Sequence, residues 1–229
     1  MPRKVQFTRE MIINAAIGII QEKGPDCINA RDLGKYMGCS SRPLFTAFRN
    51  MEELLAAVRE EVSKRFAERV RVARDTQSPE PAAKRMGMCI VQFAQDEPNL
   101  YKLIHWTGNK MTPLPELSEI MTKQYQTDYQ LSDDDAIAFF DHMMIFNLGL
   151  CSLITNGMRH FTHEQVETIL RDQFSATIAY YKSGKHHIEE GIPTPPQKKS
   201  PQRLPQVPSE RGMYNNVQIN LHSLSYLVR

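Results

Sequence analysis

Residues 29–53 read NARDLGKYMGCSSRPLFTAFRNMEE, and they establish how the N-terminal part of the chain folds. Asn29 is a good helix N-cap, and Gly38 is suited to end the helix that follows it. Ser40 is predicted to cap a third, short helix. Because a long helix is predicted over 8–23, two short helices joined by a tight glycine-containing turn complete a three-helix unit.

The third helix has two faces of different character. Leu44, Phe45 and Phe48 are apolar and are predicted to hold the helix against the other two. The other face carries small or polar residues and one arginine: Ser40, Ser41, Arg42, Pro43, Thr46 and Ala47. A short helix with one anchored face and one polar face is typical of a helix-turn-helix whose last helix enters the major groove of DNA.

The ordered motifs of this stretch resemble those of one protein family. They are Arg31-Asp32-Leu33, Gly38-Cys39-Ser40, Leu44-Phe45-x-x-Phe48 and Glu52-Glu53-Leu54-Leu55, after an apolar helix that ends at Gly24. Over about residues 7–60 the chain resembles the N-terminal domain of TetR/AcrR-type transcriptional regulators. The remainder is similar only in architecture. The resemblance implies a homodimeric, ligand-responsive, DNA-binding regulator, which we expect to be a repressor.

The resemblance also implies which residues contact DNA. The residues at the starts of helices two and three are expected to contact phosphates, and Arg42 and Thr46 are expected to contact base edges. The family usually has tyrosine in place of Phe45 and often lysine in place of Met51, so Arg49 is expected to replace the lost phosphate contacts. The expected DNA-binding residues are Asn29, Arg31, Ser40, Ser41, Arg42, Pro43, Phe45, Thr46 and Arg49.

The predicted fold class is all-α, with about nine helices. Residues 1–50 are predicted to form the helix-turn-helix domain, here called the head, and residues 51–182 a helical ligand-binding and dimerisation domain, here called the body. A helix over 51–75 connects them. No alternating strand is found in this part of the chain, and 108–115 is predicted to be a loop. Residues 183–229 hold six prolines between Pro193 and Pro208 and are predicted to be a disordered tail.

Charge differs along the chain although the net charge is only +2. Residues 1–75 carry a net +4, residues 76–182 a net −5 and residues 183–229 a net +3. A basic head and an acidic body predict that only the head meets a polyanion.

Methionine and aromatic side chains are common in the body. They form either an ordinary core or a permissive apolar pocket, because methionine adapts to irregular shapes. The predicted pocket residues are Met86, Phe93, Tyr101, His105, Trp106, Met121, Tyr125, His142, Met143 and Phe146. His105 and His142 have no second ligand at i+4, so we expect hydrogen-bonded structural histidines and no metal. Asp141 either pairs with a cation across the dimer or recognises a ligand.

The expected partners are operator DNA, a small apolar effector and a second copy of the chain. Dimer contacts are predicted through the helices near 133–156 and 162–181. The apolar run 136–155 contains Asp141, His142 and Asn147, which favours a buried helix over a membrane span. No cofactor is expected, and the four cysteines are predicted to be small buried hydrophobes in a reducing, cytoplasmic compartment.

Two other classes of function agree less well with the sequence. An enzyme is not expected, because the sequence holds no glycine-rich phosphate loop, nucleophile elbow or His/Glu metal motif; loss of turnover on mutating His142 or Asp141 would indicate one. A helical adaptor that binds a protein through the Pro-rich tail, with a weakened DNA-binding head, is the alternative to a regulator.

Overall fold

Helices account for most of the described chain. The computed structural model describes residues 7–107, 110–112 and 114–183. Its elements are α1 Arg9–Lys23, a 3-10 turn Pro25–Cys27, α2 Ala30–Tyr36, α3 Arg42–Ala47, α4 Met51–Asp75, α5 Ala82–Asp96, α6 Pro98–His105, β1 Trp106–Thr107, β2 Lys110–Met111, α7 Pro115–Tyr129, α8 Asp133–Thr155 and α9 His163–Lys182. The predicted all-α class is confirmed over these residues. The predicted tail lies outside the described residues from 184 onward.

A two-stranded antiparallel pairing that was not predicted follows α6, and its second strand lies in the predicted loop over 108–115. Trp106 pairs with Met111 and Thr107 with Lys110. The backbone N–H of Thr112 then donates to the carbonyl of His105, 2.9 Å away. Strands of two residues are too short to produce an alternating pattern, which is why the sequence did not indicate them.

Side-chain caps begin most of the predicted helices. The side chains of Thr8, Asn29, Asn50, Ser132 and Thr162 accept hydrogen bonds from backbone N–H groups in the first turns of α1, α2, α4, α8 and α9. Each such bond satisfies a donor that has no partner within its helix.

Helix α3, like α5, α6 and α7, begins without a side-chain cap. Ser41, and not Ser40, occupies its N-cap position, and the Ser41 side chain makes no capping bond. The predicted Ser40 cap is therefore wrong by one residue. Because α3 has only six residues, its stability depends on packing rather than on its ends.

Helix α4 belongs to the cores of both head and body. Its first half buries Leu54 and Val58, and its second half buries Phe66 and Val70. It contacts α1 and α6 as well as α5 and α7. Helix α4 therefore links the two regions. The predicted domain boundary at residue 50 stays a prediction.

Helix α8 is apolar on two sides but covered on only one. Phe139, Met143 and Leu150 are buried against the rest of the body. Ile137 and Ile145 point outward and are exposed. By length and composition α8 could cross a membrane, the only such helix among the described residues, and 28% of its most apolar window is buried. One such helix is weak evidence for a membrane span, since helices of soluble cores pass the same test.

Candidate nucleic-acid interface and internal cavity

The turn between α2 and α3 depends on two glycines. Gly38 has a φ of 69°, which favours glycine over residues with a side chain. A Cβ on Gly34 would lie 3.0 Å from the Cys39 carbonyl oxygen, from the Ser40 carbonyl carbon and from the Ser41 nitrogen. The absence of a side chain at Gly34 therefore lets the turn pack directly on α2 and sets the position of α3.

Two apolar residues hold α3, and the third predicted one does not. Leu44 and Phe48 are buried with Leu33 in the head core. Phe45 is 48% exposed, so the prediction that it helps to hold the helix is wrong. Successive residues of an α-helix are rotated by about 100° around its axis, so Phe45, which follows the buried Leu44, faces the surface.

An arginine on α1 fixes the C-terminal end of α3. Arg9 Nη1 donates to the carbonyl of Ala47 at 2.6 Å and to Glu53 Oε1 at 3.2 Å. Its guanidinium lies 4.0 Å from the centroid of the Phe48 ring. The backbone N–H of Arg49 donates to Glu53 Oε2 at 2.8 Å, and this bond, followed by Arg9, lowers the pKa of Glu53. Sequence reasoning missed Arg9; its signal was a cation in a first helical turn, where carboxylates are favoured.

The predicted DNA-binding residues lie on one continuous stretch of mostly exposed chain. Asn29, Arg31, Ser40, Arg42, Phe45, Thr46 and Arg49 are exposed, and Ser41 and Pro43 are half-buried. The Arg49 side chain is 93% exposed. The guanidinium groups of Arg31 and Arg42 make no hydrogen bond or ion pair with any described residue. These cations are thus available to an outside partner.

Asn29 and Thr46 are already engaged within the chain. The Asn29 side-chain oxygen accepts from the Asp32 N–H at 3.0 Å, and its Nδ2 donates to Asp32 Oδ2 at 2.7 Å. The Thr46 hydroxyl donates to the carbonyl of Arg42 at 3.3 Å. A phosphate contact by Asn29 would compete with the cap of α2, whereas the Thr46 oxygen can still accept a hydrogen bond.

A cavity of about 950 Å³, including its opening to solvent, lies within the body. Five of the predicted pocket residues line it: Tyr101, His105, Met121, Tyr125 and Met143. The other five lie elsewhere. Met86 is buried in the core, the Phe93 ring packs 4.7 Å from that of Phe66, Trp106 is exposed on β1, His142 contacts the Tyr181 hydroxyl at 3.2 Å, and Phe146 is half-buried.

His105 is a buried, neutral acceptor in the wall of this cavity. Its Nδ1 lies 3.0 Å from the carbonyl oxygen of Tyr101, and its ring stacks on the Tyr101 ring at 3.9 Å. Burial lowers the pKa of His105 to about 4, so the ring is neutral at pH 7. Since a carbonyl can only accept, Nδ1 carries the hydrogen and Nε2 is left as an acceptor.

Asn147 is a second polar group in the cavity wall, and the sequence analysis did not assign it a role. Its Oδ1 is buried and has no hydrogen-bond partner among the described residues. Leaving a buried acceptor unpaired costs about 1–3 kcal/mol. The signal in the sequence is an amide within an otherwise apolar helix.

The cysteines differ in exposure. Cys27 is exposed, Cys151 is buried, and Cys39 and Cys89 are half-buried. All four are free thiols. The prediction that they are buried is therefore wrong for Cys27. Burial raises the pKa of the Cys151 thiol to about 12, so this thiol is unreactive at neutral pH. Among the described residues no group of three His, Cys, Asp or Glu could hold a metal ion.

The comparisons with known proteins identify the fold through solved structures alone. No protein-family model matches the chain, and no curated protein does. A TetR-family transcription regulator from Marinobacter aquaeolei VT8 matches with a TM-score of 0.56 and 15% identity, over 73% of this chain and 94% of that one. A putative TetR-family regulator from Vibrio parahaemolyticus matches with a TM-score of 0.52 and 19% identity, over 73% and 97%.

A ligand-bound structure is also similar. ActR, a TetR-family protein from Streptomyces coelicolor solved in complex with (S)-DNPA, matches with a TM-score of 0.53 and 16% identity, over 77% of this chain and 99% of that one. These matches cover nearly the whole of each solved chain. The resemblance seen in residues 7–60 is confirmed at the level of the fold, and the chain has the fold of the TetR family of transcription regulators.

Proposed function

We propose that the protein is a transcriptional repressor that binds a near-palindromic DNA operator as a homodimer and releases it when a small apolar effector occupies the body. The observation that carries this proposal is the geometry of α3. Leu44 and Phe48 fix one face in the head core, and Arg42 and Thr46 stand exposed on the other. That arrangement suits a helix that reads base edges in the major groove.

The exposed residues divide by the part of DNA that they suit. The guanidinium of Arg42 is suited to guanine O6 and N7, and Pro43 to a thymine methyl group. Arg31, Arg49 and the hydroxyls of Ser40 and Ser41 are suited to phosphates, which position the head without reading sequence. Phe45 lacks the hydroxyl that would add a phosphate contact, so it contributes apolar surface only.

A second copy of the chain would cover the outer face of α8. Ile137 and Ile145 are exposed there. A Cβ added to Gly149 would have no heavy atom of the described residues within 4 Å, so a partner helix can approach closely. An exposed apolar patch of this kind marks an interaction surface. A two-fold pair of heads would then read two half-sites, which is why we propose a near-palindromic operator.

The start of α7 gives the cavity a route to the head. Leu114, Pro115 and Leu117 line the cavity and also a groove against α4. Glu116 on α7 is ion-paired with Arg71 on α4. An effector that displaces the start of α7 would therefore pull on α4, tilt the heads and change their spacing, provided that it binds the two states unequally.

Selection from a random pool of DNA duplexes with full-length protein, at two salt concentrations, tests the proposal. An enriched inverted repeat is expected. Operator-length DNA binding no stronger than non-specific background at low salt would overturn the proposed function. We also propose that the protein acts in the cytoplasm. The alternative of a protein-binding adaptor stays a prediction, because the tail on which it depends lies outside the described residues.

Two variants separate base reading from phosphate binding. Arg42→Ala should reduce affinity by about 1–3 kcal/mol and relax the preference at one base. Arg49→Ala should weaken binding to all sequences alike and reduce the slope of log affinity against log salt by about 1. Arg74→Ala, which removes an arginine paired with Asp75 at the far end of α4, is the matched control. Equal loss on every sequence for both head variants would contradict the assigned roles.

A further inference from the structure

One residue that lines the cavity carries a buried acceptor that no described residue satisfies. Asn147 is 8% exposed, and its Oδ1 has no partner among the described residues. The residue lines the main cavity and also a second cavity beside it, as do Tyr125 and Met143. The residue therefore lies where the walls of the two cavities meet. Buried acceptors in folded proteins almost always have a partner, so a ligand is the expected source of this one.

His105, a further polar residue of the wall, has the same requirement. His105 is neutral, and its Nδ1–H is used by the carbonyl of Tyr101, so Nε2 also accepts. Among the described residues that line the main cavity, none is Lys, Arg, Asp or Glu. A ligand carboxylate would thus lose its water without gaining a cation, and an ammonium would find no carboxylate.

We infer that the effector is an uncharged, largely apolar molecule that carries a hydroxyl or N–H group and donates it to Asn147 Oδ1. This inference rests on the proposed function of the cavity as an effector site. It adds the chemical class of the ligand: an alcohol, phenol or neutral amide rather than a carboxylic acid, an amine or a pure hydrocarbon. A donor that fills an otherwise unpaired buried acceptor gives strong discrimination against analogues that lack it.

Matched pairs of small probes test the inference on the full-length protein without DNA. Each pair consists of an aromatic alcohol (a phenol), here called the alcohol, and its methyl ether. Examples are 2-naphthol with 2-methoxynaphthalene and 4-phenylphenol with its methyl ether, and 2-naphthoate is the anionic comparison. Equilibrium dialysis gives the affinities. We expect at least one alcohol to bind about tenfold tighter than its ether, and 2-naphthoate to bind most weakly.

Asn147→Leu keeps a similar volume and removes the acceptor. It should reduce the preference for the alcohol to less than about twofold while the ether still binds. Asn147→Ala serves as a second variant, and thermal unfolding checks that both are folded. Asn14→Leu is the matched control, since Asn14 lies on α1 and accepts a hydrogen bond from Arg65; it should keep the full preference.

Three results would overturn the inference: no probe binds up to its solubility limit, alcohol and ether bind equally, or the preference survives in both Asn147 variants. The outcome is independent of DNA binding. If the alcohol binds as expected but leaves operator affinity unchanged, the inferred ligand class stands and the proposed effector response fails.

Discussion

The head and the body are built from different kinds of contact. In the head, Arg9 bonds to the end of α3, Asn29 caps α2, and a glycine at position 34 lets backbone pack on backbone. In the body, the cavity is walled mainly by apolar side chains. There His105 has one hydrogen-bond partner, and Asn147 Oδ1 has none among the described residues. The comparison indicates that the head keeps one geometry, whereas the body retains groups that a ligand can satisfy.

The largest expected effect is at the outer face of α8. Ile145→Glu places a carboxylate where 66% of the side chain is now exposed and where the second copy is proposed to pack. A symmetric dimer would bury the change twice, so we expect dimer affinity to fall more than about a thousandfold, measured by analytical ultracentrifugation.

The matched control for the interface is Val72→Glu. Val72 is 59% exposed on α4 and should tolerate the charge. The head of the Ile145 variant should keep its fold, which amide hydrogen exchange checks. An unchanged dimer affinity would remove α8 from the proposed interface.

The next effect concerns the buried histidine of the body. The pKa of His105 is lowered from 6.5 to about 4, so between these values the unfolded chain binds a proton that the folded chain does not. Stability is therefore lost as pH falls from 6.5 towards 4, by about 3 kcal/mol at about 1.4 kcal/mol per pH unit. Chemical unfolding across this range should show a shallower loss for His105→Gln than for the wild type.

Carboxylates also titrate in this pH range, but they are the same in both proteins. The difference between the variant and the wild type therefore gives the contribution of His105 to the pH dependence of stability. His160→Gln, at an exposed histidine, is the control and should keep the wild-type loss. If His105→Gln loses stability as steeply as the wild type, the ring is not buried in the neutral form.

The smallest effect distinguishes two glycines, one in each region. Gly34→Ala forces a methyl group against backbone atoms at 3.0 Å. Such overpacking lowers the free energy of unfolding by about 1–3 kcal/mol. This loss exceeds the gain of roughly 0.5–1 kcal/mol that alanine gives over glycine within a helix. Gly87→Ala meets only Leu170 Cδ1 at 3.8 Å and should stabilise the body. Thermal unfolding should therefore shift in opposite directions, and only Gly34→Ala should weaken DNA binding. Equal shifts would show that the turn relaxes freely.

Local signals explain what was predictable. Caps at Asn29 and Ser132 and the turn at Gly38 lie within a few residues of what they control, so the helices of the head and α8 were predicted closely. Phe45 was misplaced because one residue of helical rotation separates core from surface. Phe93 and Met121 are both large apolar residues in predicted helices, but only Met121 lines the cavity. Which of them does so depends on how distant helices pack.

The residues that bear on function outside the motif required the assembled structure. The role of Arg9 depends on Ala47 and Glu53, about 40 residues away, and local periodicity carries no information about such contacts. Asn147 was visible as an amide in an apolar helix, but its missing partner is apparent only when the surrounding side chains are in place.

The six residues of α3 have a further consequence for how binding preference can change. The helix is held by Leu44, Phe48 and the bonds from Arg9, and none of these is an exposed position proposed to face bases. Substitutions at Arg42 and Thr46 should therefore alter the preferred operator with little loss of stability. In such an arrangement, new operator specificities are within reach of single substitutions, both for a lineage under selection and for directed evolution in the laboratory.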